Sequence, residues 1–126
     1  MFGTRTLFEV VYTSVVFDVN AHTLSIQGDA ERQVTLPEPS WRLLNEFIKF
    51  EGKPLTREHL LKHVWEDFNF VASSANLNNH VSVIRRSFME LEETNTLITT
   101  LPKLGFKFNA ILQPITFKEE FDNTLL

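Results

Sequence analysis

The run from Ser73 to Phe106 constrains the fold more than any other stretch of this chain. From Ser73 to Leu91 the apolar residues follow helical spacing. At about 100° per residue, Leu77, Val81, Ile84, Phe88 and Leu91 fall within roughly ±40° of one direction, which predicts a core face. The opposite side carries Ala75, Asn79, Ser82 and Arg86, with Asn76 and Val83 on one flank and Asn78 and Arg85 on the other. Acidic side chains enter only at Glu90, Glu92 and Glu93. After a short polar break, Leu97 to Phe108 reads as a tight hairpin with Pro102-Lys103-Leu104-Gly105 at its tip. Gly105 is expected to supply a positive φ there, with Lys103 projecting from the turn and Lys107 following.

Upstream, Leu7–Tyr12 and Val15–Phe17 are rich in β-branched and aromatic residues and predict strands. Asp18-Val19-Asn20-Ala21-His22 has turn chemistry, and Leu24–Ile26 and Val34–Leu36 flank a second turn at Gly28-Asp29. An antiparallel sheet of three or four strands follows from this pattern. Pro37-Glu38-Pro39-Ser40 punctuates the chain before a helix from Trp41 to about Phe50, with Trp41, Leu44, Phe47 and Ile48 on one face. Gly52-Lys53-Pro54 ends it. Thr56 is the expected N-cap of a second helix, Arg57 to about Trp65, whose Leu60, Leu61, Val64 and Trp65 face inward. His59 stands where a capping box would place glutamate. Residues 66–72 form a loop, Ser73 or Ser74 caps the third helix, and residues 110–126 read as an extended tail or linker.

At 126 residues, with 12 Phe and 2 Trp, the chain is long enough for one domain with a real core. Cys 0 excludes disulfides, thiol catalysis and cysteine-ligated zinc, and fits a reducing compartment. No apolar stretch approaches the roughly 20 residues that span a bilayer, and Met1-Phe2-Gly3-Thr4-Arg5 opens no signal peptide. A cytoplasmic location is expected. The net charge of −4 runs against the basic signature usual in nucleic-acid binding. Its distribution softens that objection: residues 41–109 hold 9 basic and 8 acidic side chains, so the excess acid lies outside the middle. Screening over roughly 8–10 Å makes the local field decisive.

The outer face of the third helix has the chemistry of base reading. Asn bonds the N6/N7 edge of adenine, Arg the O6/N7 edge of guanine, and Val packs on a thymine methyl. Ser73, Ser74 and the free N–H groups at the helix start suit a phosphate. The competing reading is a solvated surface on a structural helix. His59 and His63, spaced i, i+4 with Glu66 beyond, lack the glutamate directly after the first histidine that a metalloprotease helix needs, since Leu60 stands there. No catalytic carboxylate spacing or Gly-rich phosphate loop is present. Neither an enzyme, a cofactor nor a small-molecule substrate is expected.

Three motifs in order carry a family resemblance. Leu55-Thr56-Arg57-Glu58-His59-Leu60-Leu61-Lys62-His63-Val64-Trp65, Val81-Ser82-Val83-Ile84-Arg85-Arg86-Ser87-Phe88 and Ile98-Thr99-Thr100-Leu101-Pro102-Lys103-Leu104-Gly105-Phe106-Lys107-Phe108 resemble the second helix, recognition helix and wing of OmpR/PhoB-type domains. Within that type the likeness is to the N-terminal domains of ToxR/CadC-like membrane-tethered transcription activators. The resemblance covers about residues 7–109. It implies an α+β winged helix-turn-helix: an N-terminal antiparallel sheet, three helices and a C-terminal β-hairpin wing, as a 1–109 DNA-binding domain followed by the 110–126 tail.

It further implies base contacts at Asn78, Asn79 and Val83, to which the outer-face reading adds Arg86. Backbone contacts fall on Trp65, Asn76, His80, Ser82 and Arg85, beside Ser73 and Ser74 from the helix start. Thr100, Lys103 and Lys107 are the wing residues. The loop carrying Asp67, Phe68, Asn69 and Phe70 matches the segment through which family members contact RNA polymerase, although the two phenyl rings are more readily expected to fill the core. Double-stranded promoter DNA is the implied partner, with binding alongside a second copy or another regulator on tandem half-sites. A chain continuing past Leu126 into a transmembrane helix would be tethered to the inner membrane. Val83 and Leu104 stand where the family commonly has arginine, which weakens phosphate attraction. The alternative is a winged-helix protein-interaction module with weak or lost DNA binding that acts through a partner.

Overall fold

The computed structural model describes residues 7–10, 15–92, 97–109 and 112–114. Four strands open the fold: β1 (Leu7–Val10), β2 (Val15–Asp18), β3 (Thr23–Ile26) and β4 (Asp29–Thr35). They pair antiparallel in the order β4-β3-β2-β1, and a short strand from the expected tail, Leu112–Pro114, adds on the far side of β1. The sheet therefore has five strands rather than three or four. Residues 11 and 12 of the expected first strand, and 110, 111 and 115–126 of the expected tail, lie outside the described residues. Asp18 shapes the β2–β3 turn, its Oδ1 accepting from the backbone N–H of Asn20 and of Ala21 at 3.0 Å each.

Helix α1 runs Glu38–Lys49, one turn earlier than the periodicity predicts. Pro39 sits in its first turn, where the N–H that proline lacks would have no partner inside the helix anyway. Leu43, Leu44 and Phe47 enter the core, and Trp41 Nε1 donates to the Val19 carbonyl at 2.9 Å, fastening the helix to the sheet. After the two-residue strand β5 (Leu55–Thr56) comes α2 (Arg57–Leu60), capped as expected by Thr56, whose Oγ1 accepts from the His59 N–H at 3.0 Å. The helix does not stay α. It widens to a π turn over Leu61–Trp65, tightens to a 3-10 turn over Glu66–Phe68, and ends on Asn69 at a left-handed φ of 64°. The wide turn lets both consecutive residues Val64 and Trp65 face the core.

Helix α3 spans Ser74–Glu92. Ser73 caps it, its Oγ accepting from the Asn76 N–H at 3.0 Å. Leu77, Val81, Ile84, Phe88 and Leu91 are all buried in one cluster with the α1 leucines, Phe17, Leu24 and Phe108. Arg32 on β4 donates from Nη2 to the Leu91 carbonyl at 3.0 Å, placing a cation at the C-terminal end where the helix dipole favours one. The hairpin consists of β6 (Ile98–Leu101) and β7 (Gly105–Phe108), with β5 paired on the outer side of β7. Among the described residues no helix is long and apolar enough to cross a membrane.

Candidate nucleic-acid interface

The hydrophobic stripe of α3 forces its other side outward. Ser74, Ala75, Asn76, Asn78, Asn79, Ser82 and Arg86 are exposed and Val83 is half-buried. Neither sheet covers this strip. Its first three turns hold amide, hydroxyl and small apolar groups, followed by the exposed guanidinium of Arg86, with no carboxylate in that stretch of sequence. Such a surface offers donors and acceptors to base edges without repelling phosphate.

The wing sits beside that strip and is tied to it. Arg85 donates from Nε and Nη2 to the Ile98 carbonyl and from Nη2 to Thr100 Oγ1 at 3.0 Å. Three of its five N–H donors are thus used inside the protein, which gives Arg85 an architectural role and leaves two donors for the expected phosphate contact. Lys103 and Lys107 are exposed on the hairpin. At the tip the expected backbone arrangement is reversed. Lys103, not Gly105, takes the positive φ, at 63°. Gly105 is required for a different reason: a Cβ there would lie 1.9 Å from the Leu55 carbonyl oxygen across the β5–β7 pairing.

Two further assignments change. Trp65 is only 3% exposed and packs in the core, so its ring chiefly supports the interface from beneath and shows only an edge to the pocket it lines with Phe70, Val71 and Asn76. His80 is half-buried on the flank of α3, with Nδ1 2.8 Å from Ser40 Oγ and its ring 6.0 Å from that of Trp65. Burial, and then the positive Arg42, hold its pKa below the ordinary histidine value. The neutral ring anchors α3 to α1 and brings no positive charge to a phosphate.

The loop after α2 also departs from expectation. Phe68 and Phe70 do not fill the core; they are 49% and 51% exposed, and Val71 is 86% exposed. The two rings instead cover the guanidinium of Arg42, whose Cζ lies 4.6 and 5.1 Å from their centroids. Arg42 is 4% exposed, donates from Nε to the Val64 carbonyl at 2.9 Å, and pairs with Glu38 at 3.1 Å. Residue periodicity gave no signal for this arrangement, since Arg42 lies on a helix face expected to meet solvent. Asp67 is held by Lys62 at 2.9 Å and His63 at 2.8 Å, and chiefly the Lys62 bond keeps its pKa below the ordinary carboxylate value. His59 bonds Glu46 at 2.6 Å instead, so the two histidines serve different carboxylates.

One residue of the site was missed by the sequence reading. Arg57 donates from Nη2 to Asn78 Oδ1 at 3.0 Å, joining the start of α2 to the outer strip of α3. Its place in the Thr-Arg-Glu motif was the available signal.

Residues 31–108 match the family described as "Transcriptional regulatory protein, C terminal". Sensory transduction protein RegX3 of Mycobacterium tuberculosis (strain ATCC 25618 / H37Rv) is 33% identical over 97 residues, covering 76% of this chain and 40% of that protein. Transcriptional regulatory protein ResD of Bacillus subtilis (strain 168) is 28% identical over 109 residues, covering 86% of this chain and 44% of the relative. The chain thus spans less than half the length of these relatives. Among solved structures, the DNA-binding domain of E. coli CadC is similar in fold, with a TM-score of 0.73 at 23% identity over 88% of this chain and 98% of that one. The AdeR DNA-binding domain, solved in complex with an intercistronic region, gives 0.62 at 19% identity over 79% of this chain and 97% of that one. Sequence motifs, fold and family match agree, and the chain belongs to the C-terminal transcriptional regulatory protein family, winged helix-turn-helix domains of the OmpR/PhoB type that regulate transcription and are not enzymes.

Proposed function

We propose that this domain binds double-stranded promoter DNA sequence-specifically, with α3 in the major groove and the wing on the adjacent backbone or minor groove. The observation that carries this reading is the exposed, carboxylate-free strip Asn76–Asn78–Asn79–Ser82–Arg86 beside a hairpin fixed to the same helix by Arg85. Asn78, Asn79, Val83 and Arg86 meet base edges. Ser73, Ser74, Asn76 and Ser82 meet phosphate, as do Thr100, Lys103 and Lys107 from the wing. Residues 1–109, with Leu112–Pro114 completing their sheet, act as the binding unit, and two copies, or one copy with another regulator, occupy tandem half-sites. As part of a longer, membrane-anchored activator the domain would face the cytoplasm, and tethering would offset weak intrinsic affinity.

A fluorescence-anisotropy titration against random duplex at low and moderate salt tests this. Each neutralised phosphate adds about 0.9 to the log–log salt slope, so Lys103 and Lys107 together give a slope near −2. Binding that is absent at low salt, or indifferent to salt, favours the alternative of a protein-interaction module. The exposed Phe68, Phe70 and Val71 are the feature that supports such a contact, with RNA polymerase as the partner that the family position suggests. Phe70 and Val71 line one pocket with Asn76, so the loop adjoins the N-terminal end of the α3 strip, and a protein held there would sit beside the DNA.

A further inference from the structure

We propose that Arg57 locks Asn78 into a donor-only reader, so that this position of the site selects guanine or thymine rather than adenine. The inference rests on α3 being the groove helix and deepens that reading to a base preference.

Arg57 is held from three sides. Its backbone N–H donates to the Leu104 carbonyl in the wing turn at 3.1 Å. Its guanidinium lies over the Phe106 ring, 5.5 Å from the centroid. Its Nη2 reaches Asn78 Oδ1 at 3.0 Å. Arginine carries donors and no acceptor, so only the oxygen end of the Asn78 amide can face it. The oxygen and nitrogen ends of an asparagine are ordinarily hard to tell apart, but here the partner's chemistry decides. The amide NH2 is left on the side away from Arg57, on an exposed residue.

An unconstrained asparagine pairs with adenine by accepting from N6 and donating to N7. The charge-assisted bond uses one lone pair of Asn78 Oδ1 and turns that oxygen toward Arg57, so the end of the amide facing away from Arg57 is the NH2 with its two donors. Guanine N7 and O6, and thymine O4, accept from such donors. Adenine sets its N6 amino group beside N7, and cytosine presents its N4 amino group, so each opposes a donor with a donor. Asn79 provides the contrast. Among the described residues its side chain has no such partner, so both ends remain available for adenine.

Selection from a duplex pool with a randomised core about two helical turns long tests the assignment, using wild type, Asn78→Ala, Asn78→Asp and Arg57→Ala. Wild type is expected to enrich guanine or thymine about tenfold or more over adenine at one position. Asn78→Ala relaxes that position alone, and Arg57→Ala admits adenine there. Asn78→Asp keeps the bond to Arg57, turns an acceptor outward and switches the position to cytosine; this variant is readable even if Arg57→Ala fails to fold. Adenine or cytosine at the Asn78-dependent position in wild type overturns the inference, as does a motif unchanged by Asn78→Ala. A pool that yields no motif with wild type overturns the DNA-binding reading itself, and this inference with it.

Discussion

Arg85 and Ile98 are joined by two hydrogen bonds to a single acceptor: the Ile98 carbonyl takes one from Nε at 3.2 Å and one from Nη2 at 2.7 Å. The bonds cross from the middle of α3 to the first strand of the wing. They fix the angle between the two surfaces assigned to DNA, so groove and backbone contacts are presented as one unit. A charged donor makes them stronger than neutral hydrogen bonds, at about 1.5–3 kcal/mol, with the lower end appropriate to this half-exposed side chain. Arg85→Ala is therefore expected to loosen the wing before it unfolds the domain. Amide hydrogen exchange at Thr99 to Leu101 reads this directly: faster exchange there, with little change in the α3 core, is the expected pattern. Equal protection in variant and wild type contradicts the coupling.

The inward face of α3 predicts the opposite kind of result. Ile84 is completely buried and Phe88 is 1% exposed, both inside the single core cluster. Truncating either to alanine removes apolar contact and leaves a cavity, at about 2–5 kcal/mol. Chemical denaturation measures it. Variants that unfold at the parent's midpoint would reverse the inside and outside of the helix.

Gly105 gives a backbone test. Alanine there sets its Cβ 1.9 Å from the Leu55 carbonyl oxygen, an atom of the main chain that cannot swing aside. Either β5 separates from β7 or the wing shifts, and the cost is expected at the upper end of the roughly 1–3 kcal/mol typical of overpacking, or above it. Asparagine, often used to rescue a positive-φ glycine, should do no better than alanine, because the requirement is close approach and not handedness. Rescue by asparagine would return the positive φ to Gly105.

His80 makes stability depend on pH with a definite sign. Its pKa in the folded protein is below the ordinary 6.5, first through burial and then through Arg42. The unfolded chain therefore binds more protons than the folded one just below pH 6.5, and stability falls as the pH drops from there toward the folded value. Denaturation midpoints between pH 7.5 and 5 should show this loss in wild type and a shallower one in His80→Gln. Parallel pH profiles would mean that the ring near Ser40 is not desolvated enough to matter.

How much of this was legible beforehand depended on which interaction did the deciding. The core face of α3, the Thr56 and Ser73 caps and the wing hairpin follow from local spacing and capping chemistry, and the structure has each of them. Helix α1 starts a turn early because proline is tolerated in a first turn, which periodicity does not register. The strand at Leu112–Pro114 depends on an edge left open by β1, a relation between distant segments. Arg42, Arg57 and Arg85 were the harder cases. Each looks in the sequence like a surface cation, yet their partners are phenyl rings, an amide oxygen and a main-chain carbonyl supplied by other elements. Phe68 and Phe70 were misplaced for the same reason, since only the fold brings a buried guanidinium under them.

The account stands or falls on the outer strip of α3, and one pair of variants probes it most directly. Arg86→Ala and Asn79→Ala remove exposed side chains, so each should melt with the parent. On a duplex enriched from the randomised pool, each is expected to lose about 1–3 kcal/mol of binding while keeping its affinity for random duplex far better. Full affinity for the enriched duplex in both variants would contradict the claim that this face reads DNA.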